Sequence, residues 1–275
     1  MIKSKTCNVI KKDKLIYITF PSLEIPGVKH CFTTKFGGVS EGIFATMNLS
    51  FSRGDDPNSV LQNYKIICDE LGVDYRKCVL SKQTHTTNIR IVTEDDAGKG
   101  IILDRDYTDV DGLITNVPGI TLVTQYADCV GLLFFDPVKK VIATSHAGWR
   151  GTVGEIGKIT VQKMVSHFGC DPKDIRAAIA PSIGPCCFEV DDPVYKEFIK
   201  LKNIDKDKII TPKGNGKYHI DLWETNRLTL IEAGLNSNNI TVTDLCTKCN
   251  HETFFSHRFT QGKRGNLAAF ICLEE

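Results

Sequence analysis

Two histidines and one cysteine, residue types that zinc binds readily, stand where apolar runs of this 275-residue sequence stop. His85 follows one predicted strand, Cys129 directly precedes a second, and His146 lies at the end of a third. Two imidazoles and a thiolate would leave the fourth position of a tetrahedral zinc ion open to water or substrate. The three residues match no short metal-binding motif. Their types and spacing alone therefore favour three unrelated polar side chains over a shared site.

The segment around His146 organises the predicted fold. Residues 143–153 read ATSHAGWRGTV, an apolar run followed by a turn at Gly148 and Gly151 and then by an amphipathic segment. We interpret this as a strand, a tight turn and the N-terminus of a helix, which places an imidazole beside unpaired backbone N–H groups and Arg150. Functional sites of α/β proteins form at such strand ends.

The other predicted elements mix strands and helices without an internal repeat. Helices are predicted over 57–71, 152–168, 193–201 and 222–233. Strands are predicted over 15–20, 30–34, 77–80, 89–92, 110–115, 120–124, 130–136, 138–144, 175–180, 240–243, 253–256 and 267–273. No segment reads as a linker, so we expect one α/β domain over residues 1–275, with mixed β-sheets flanked by helices.

Composition excludes several classes of partner. The 34 Lys and Arg residues are balanced by 33 Asp and Glu residues, so no overall field attracts nucleic acid or an anionic membrane. No window approaches the roughly 20 apolar residues that span a bilayer, and the lysine-rich start is not a secretory signal. Eleven cysteines without regular spacing indicate reduced thiols and a cytoplasmic location.

Further cysteines and a glycine turn receive ordinary structural interpretations. The adjacent Cys186 and Cys187 are expected to pack inside a turn near the site. Cys246 and Cys249 have the spacing of half a zinc knuckle or of a redox pair, but no second CxxC completes a site, so we expect none there. The turn over 35–40 could present backbone N–H groups to an anion, although an ordinary loop is favoured.

Several separated motifs resemble the YfiH-type laccase-domain family, whose members are described as purine nucleoside phosphorylases and some as peptidoglycan editing factors. They appear in the family's order from the GGVSEG turn onward. The motifs are QTH at 83–85, ADC at 127–129, SHAGWRGT at 145–152, GPCCFEV at 184–190, FFSHR at 254–258 and GKRGNLAAFI at 262–271.

The resemblance implies an α/β/β/α layered fold and a catalytic zinc held by His85, Cys129 and His146. It also implies phosphorolysis of adenosine, inosine, guanosine and methylthioadenosine to free base and ribose 1-phosphate, with adenosine deamination as a second activity. The sequence departs from the family at Lys35, where arginine is common, and in its C-terminal tail around Arg264.

These reactions would need two further groups. Deamination needs an acid–base group beside the metal, and Asp128 is adjacent to Cys129, although a structural hydrogen bond would explain a buried Asp128 equally well. Phosphorolysis needs an anion site, for which Arg150 with its helix N-terminus is the first candidate, although a surface salt bridge explains Arg150 equally well. Lys35, Arg53 and Arg264 follow as candidates.

Three other functions are weighed against this one. A multicopper oxidase is strongly disfavoured, because there are only seven histidines and no His-x-His pair for its several copper centres. A cysteine hydrolase with Cys129 as nucleophile and His146 or His85 as base, acting on a cell-wall precursor, is the main alternative. A non-catalytic binding protein is the third possibility.

Overall fold

The computed structural model describes residues 2–274, which form two six-stranded sheets and a small three-stranded sheet. The strands are β1 (Asn8–Lys12), β2 (Leu15–Thr19), β3 (Val28–Thr33), β4 (Cys78–Leu80), β5 (Ile89–Ile91), β6 (Gly112–Thr115), β7 (Thr121–Tyr126), β8 (Val130–Asp136), β9 (Val141–Ala147), β10 (Arg176–Ile179), β11 (Glu189–Asp191), β12 (Ile210–Gly214), β13 (Lys217–Ile220), β14 (Ile240–Val242) and β15 (Leu267–Leu273). The helices are α1 (Pro57–Leu71), α2 (Trp149–Val153), α3 (Ile156–Phe168), α4 (Asp192–Phe198), α5 (Leu222–Glu232) and α6 (His257–Thr260).

Both large sheets are mixed. The first has the order β1-β2-β3-β15-β7-β4, with only the β4–β7 pair parallel among its described pairings. The second has the order β14-β10-β8-β9-β6-β5, with parallel pairs at its two edges and antiparallel pairs inside. The antiparallel β8–β9 pair sets His146 opposite Gly131, so His146 lies on a central strand.

The two sheets pack face to face and helices cover their outer faces. β8 shows this directly, because Leu133 and Phe135 pack into the core between the sheets while Leu132 and Phe134 pack toward α3 and α5. Successive side chains of a strand point to opposite faces, so a strand buried on both sides reads as a continuous apolar run. On the other side, α1 packs against the first sheet. The α/β/β/α order that the family resemblance implied is therefore confirmed.

The ends of α1 follow its sequence signals. The Asp56 side chain accepts hydrogen bonds from the backbone N–H groups of Asn58 and Ser59, and Pro57 occupies the first turn. Gly72 ends the helix in the left-handed conformation with φ 62°.

Two expectations about elements are wrong. The helix predicted over 152–168 is broken into α2 and α3, because Glu155 adopts a left-handed φ of 55° that interrupts the helical path. The strand predicted over 253–256 is a turn, in which the N–H groups of Thr253 and Phe254 both donate to the Asn250 carbonyl oxygen. The apolar residues that suggested a strand there are Phe254 and Phe255, which are buried between the sheets. No helix in the described residues is long and apolar enough to cross a membrane.

Candidate metal centre and its cavity

Three loops and strands bring His85, Cys129 and His146 together. His85 follows β4 in a left-handed conformation with φ 66°, Cys129 lies in the connection from β7 to β8, and His146 is on β9. One ligand atom of each lies within 4.8 Å of the others, and the two imidazole rings are 4.9 Å apart. Ligands of a tetrahedral zinc at about 2.0–2.3 Å are themselves about 3.3–3.8 Å apart, so a small contraction would close the set around one ion.

A buried carboxylate that the sequence analysis missed orients two of these ligands. Asp111 Oδ1 lies 2.7 Å from His146 Nδ1. The same carboxylate accepts hydrogen bonds from the backbone N–H groups of Thr84, His85 and Thr86 at 2.9–3.1 Å. A metal-binding histidine typically donates its second ring N–H to such a carboxylate, which leaves the other nitrogen free for the ion. The signal in the sequence is an acidic residue inside the apolar run VDGLIT.

The charges of the site favour a cation. Burial alone would raise the pKa of Asp111, but hydrogen bonds from His146, Thr84 and Thr86 lower it to about 2. Burial would lower the pKa of His146, but the neighbouring Cys129 sulfur and Asp111 carboxylate raise it to about 9. Burial lowers the pKa of His85, and the charge of His146 lowers it further. The polypeptide therefore supplies negative charge that a bound metal ion would neutralise.

Gly148 makes the space for this arrangement. A Cβ atom at this position would lie 2.9 Å from His85 Nδ1 and 3.2 Å from Cys129 Sγ, closer than the ligands could accept without moving. The backbone of the glycine turn predicted between β9 and the next helix thus passes close to His85 and Cys129. The types of the donor atoms, the Asp111 contact to the second nitrogen of the His146 ring and the space left by Gly148 together fit a bound metal ion.

The three candidate ligands open into one cavity of about 300 Å³ that is also lined by three arginines, Arg53, Arg105 and Arg264. Arg264 is half-buried, and its Nε is buried without a hydrogen-bond partner among residues 2–274. Burial and then the charge of Arg53 lower the pKa of Arg264 to about 10, which leaves the guanidinium charged at neutral pH. A partly desolvated guanidinium with a free donor is a site for an anion.

The other predicted anion-binding residues lie elsewhere. Lys35 Nζ donates to the His251 carbonyl oxygen at 3.0 Å and does not line the cavity. The Arg150 guanidinium lies 4.2 Å from the centre of the Trp149 ring, and Arg150 lines a separate depression. Arg150 is close to His146 in sequence and was therefore expected at the site. Its guanidinium instead packs over the Trp149 ring. Trp149 likewise does not line the cavity.

Asp128 lies beside the site with both carboxylate oxygens occupied. Its Oδ1 accepts from the Thr247 hydroxyl and its Oδ2 from the Arg258 backbone N–H, each at 2.6 Å. It is buried and has a φ of 83°, so it belongs to the turn that carries Cys129 and not to a strand. These contacts fix the start of β8.

Cys246 and Cys249, for which we expected no site, have two further cysteines as neighbours. The missing half of a four-cysteine set is the adjacent pair Cys186 and Cys187, which the fold brings to them. The sequence analysis looked for a second CxxC and so missed an adjacent pair on another loop.

Comparisons with known proteins agree with this fold. A family described as multi-copper polyphenol oxidoreductase laccase matches residues 29–274. The purine nucleoside phosphorylase YlmD of Bacillus subtilis is 38% identical over 248 residues, which cover 89% of this chain and 88% of that protein. The adenosine deaminase RL5 of an unknown prokaryotic organism is 35% identical over 237 residues, covering 85% and 89%. The crystal structure of the hypothetical protein YfiH of Bacillus licheniformis has a TM-score of 0.92 at 36% identity, covering 98% of this chain and 100% of that one.

Proposed function

The chain belongs to the family described as multi-copper polyphenol oxidoreductase laccase, and on that premise we propose that it is a zinc-dependent purine nucleoside phosphorylase. The reaction converts a purine nucleoside and inorganic phosphate into the free base and ribose 1-phosphate. Adenosine, inosine, guanosine and methylthioadenosine are the proposed substrates, with deamination of adenosine to inosine as a second activity. The observation that carries the proposal is a ligand set for a metal ion and a partly desolvated arginine in one cavity.

Zinc is the metal that the donor set favours. Imidazole nitrogens and thiolate sulfurs are both zinc ligands, and three protein ligands leave a position for a reactant. The family description names several coppers, but only two of the seven histidines belong to a group of metal-binding side chains in residues 2–274. Each copper of a multicopper centre needs its own imidazoles. When bound, zinc would act as a Lewis acid and would lower the pKa of a water at the open position.

The arginines supply the phosphate site of this proposal. Arg264, Arg53 and Arg105 line the cavity beside His85, and guanidinium groups bind phosphate through paired N–H···O hydrogen bonds. A phosphate held there would attack C1′ of the sugar. The bond from C1′ to the purine nitrogen breaks, its electron pair stays with the base, and the base takes up a proton. The half-buried Phe51 ring in the same wall offers an apolar face to the purine.

Asp111 and Asp128 act in this proposal by positioning. Asp111 holds His146 and the His85 loop, and Asp128 holds the turn of Cys129. Asp128 is given a positioning role in this proposal, because each of its oxygens accepts a hydrogen bond that holds this turn. The proposed location is the cytoplasm, since all eleven cysteines are free.

The decisive experiment incubates metal-replete protein with inosine or adenosine, with and without phosphate, and separates the products. We expect free base and ribose 1-phosphate only when phosphate is present, and inosine from adenosine in either case. A chelator should stop both reactions and added zinc should restore them. Cys129→Ala should be inactive, whereas the remote buried-thiol variant Cys170→Ser should match the wild-type protein. No base and no inosine from the metal-replete protein would overturn the proposal.

One observation favours a second candidate, a cysteine hydrolase that acts on a cell-wall precursor. Cys129 Sγ and a ring nitrogen of His146 lie within 4.8 Å of each other, and His146 Nδ1 lies 2.7 Å from Asp111 Oδ1, which is the order of a thiol–imidazole–carboxylate triad. A nucleophilic Cys129 should be alkylated by iodoacetamide without chelator, and its activity should survive chelation. A thiolate that binds zinc should resist alkylation until the metal is removed.

A further inference from the structure

Four cysteines from two loops meet outside the catalytic cavity. Cys186 and Cys187 lie in the loop between β10 and β11, and Cys246 and Cys249 lie in the loop after β14. Their four sulfur atoms are all within 4.8 Å of one another, and Cys249 Sγ is 3.5 Å from Cys186 Sγ and 3.4 Å from Cys187 Sγ. These separations exceed the S–S bond of about 2.05 Å. They resemble the roughly 3.8 Å between sulfurs that bind a tetrahedral zinc at about 2.3 Å.

We propose that Cys186, Cys187, Cys246 and Cys249 bind a second, structural divalent metal ion of thiolate-preferring type, with zinc as the expected metal. Four thiolates complete a tetrahedral shell and leave no position for substrate, so this ion would stabilise the fold and take no part in the reaction. Binding would release thiol protons and change no oxidation state. Thiolate ligands select zinc over magnesium or calcium.

The backbone holds the two loops in place for such an ion. Ser182 and Cys246 form an isolated parallel β-bridge, and the Thr247 N–H donates to the Ser182 carbonyl oxygen at 2.9 Å. On the first loop, the Cys187 N–H donates to the Gly184 carbonyl oxygen at 2.9 Å. The cysteines are therefore brought together by main-chain contacts, which do not depend on the thiols.

One hydrogen bond already points a donor at a sulfur. The Gly184 N–H lies 3.2 Å from Cys246 Sγ, and Cys246 is buried. Backbone donors of this kind stabilise the negative charge of a metal-bound sulfur. A Cβ at Gly184 would lie 3.2 Å from Cys246 Cβ and 2.8 Å from the Trp223 ring, so the close approach requires glycine here.

The four-cysteine site is joined to the catalytic ligand Cys129 through Asp128. Thr247, between two of the cysteines, donates its hydroxyl hydrogen to Asp128 Oδ1 at 2.6 Å. The Ile183 N–H, on the other loop, donates to the Asp128 carbonyl oxygen at 2.9 Å. Since Asp128 directly precedes Cys129, an ion that fixes both loops would also fix the turn that presents Cys129 to the first metal.

The test measures zinc per chain and the atoms around it. Protein purified under reducing conditions and supplied with zinc should hold two ions per chain. The double variant His85→Ala/Cys129→Ala should hold one, and X-ray absorption at the zinc edge should show four sulfurs at about 2.3 Å and no nitrogen. Cys186→Ser/Cys249→Ser, which changes two exposed residues, should also hold one ion and should unfold at a lower temperature. Cys170→Ser is the matched control and should hold two.

Several outcomes would overturn this inference. One zinc per chain in the wild-type protein, with none in His85→Ala/Cys129→Ala, would show that the four cysteines bind no metal. Four thiols that react freely in the native zinc-supplied protein would do the same, as would disulfides among them under reducing conditions. If the cysteine variants fail to fold, the wild-type stoichiometry and the absorption spectrum still decide. Failure here leaves the phosphorolysis assay untouched, because that assay depends on the first site.

Discussion

Asp111 Oδ1 lies 2.7 Å from Nδ1 of His146, and the same residue binds the His146 backbone through its carbonyl oxygen at 2.7 Å. One residue thus fixes both the ring and the main chain of a proposed ligand. Its second partner is the loop of His85, whose backbone N–H also donates to the carboxylate. The relative position of the two histidines is therefore set by Asp111.

Asp111→Asn should weaken zinc binding at the first site roughly 10- to 100-fold, the usual effect of losing a partner of a metal ligand. The amide has one accepting oxygen in place of two, and its NH₂ group would face backbone donors. Zinc affinity is measured by competition with a chelator of known affinity. The control is Asp109→Asn, because Asp109 accepts from Thr84 and Asn88 but contacts no metal ligand. Equal affinities for both variants and the wild-type protein would contradict the role assigned to Asp111.

Gly148→Ala should lose zinc from the first site while keeping the fold. The backbone of Gly148 has φ −58°, which alanine adopts without strain, so the added methyl acts only through its contacts. It would lie 2.9 Å from His85 Nδ1, and the His85 ring, which is exposed to solvent, would move away from the ion. We expect a loss of zinc affinity of roughly tenfold or more. An unchanged thermal midpoint of the metal-free variant is the control, and unchanged zinc content would refute the steric argument.

Individual strands and helices could be predicted from the sequence because each carries its own pattern, whereas the order of the layers was implied by the family resemblance. β8 is apolar from Val130 to Phe135 and is buried on both faces, and α1 carries its cap and its terminal glycine. Glu155 could not be predicted to break a helix, because glutamate favours helices and the turn there is imposed by tertiary contacts. Gly154, next to it, approaches Thr87 so closely that a Cβ would lie 2.7 Å from that side chain.

The site was only partly accessible from the sequence for the same reason. The three proposed metal ligands were singled out because each stands at the start or the end of an apolar run, and that is a local signal. Asp111 depends on contacts with residues 84–86 and with His146, which local patterns do not contain. Arg264 reaches the cavity only because it precedes β15 in the centre of the first sheet. Arg150, nearer to His146 in sequence, lies outside.

Arg264→Gln should raise the KM for phosphate more than it lowers kcat. Hydrogen bonds to a charged partner contribute about 1.5–3 kcal/mol, which corresponds to roughly 10- to 100-fold in affinity. Glutamine keeps part of the volume and removes the charge. The measurement is the initial rate of base release from inosine over a range of phosphate concentrations. Arg150→Gln is the comparison variant, and its KM for phosphate should equal the wild-type value because Arg150 lines another depression. A larger effect at Arg150 than at Arg264 would reverse the assignment of the anion site.

The pH dependence of stability should reveal the buried Asp96. Asp96 is 1% exposed and bonds to Arg90 at 2.7 Å and to Lys99 at 2.8 Å. Burial would raise its pKa, but these partners and the Thr93 N–H lower it to about 2, from 3.8 for the ordinary carboxyl. A pKa lowered by folding contributes stability above the unfolded value, and that stability is lost as the pH falls through the folded value. Asp96→Asn should remove this contribution, on the order of 2 kcal/mol at neutral pH.

The two proteins should therefore converge in acid. Urea unfolding at pH 6 should show the variant clearly less stable than the wild-type protein, and the difference should shrink steadily between pH 4 and pH 2. Asp95→Asn, an exposed neighbour, should follow the wild-type curve. Parallel curves for Asp96→Asn and wild type over this range would mean that the carboxylate charge of Asp96 gives no net stabilisation. The ion pairs of Asp96 with Arg90 and Lys99 would then serve only to fix the geometry of the loop before β6.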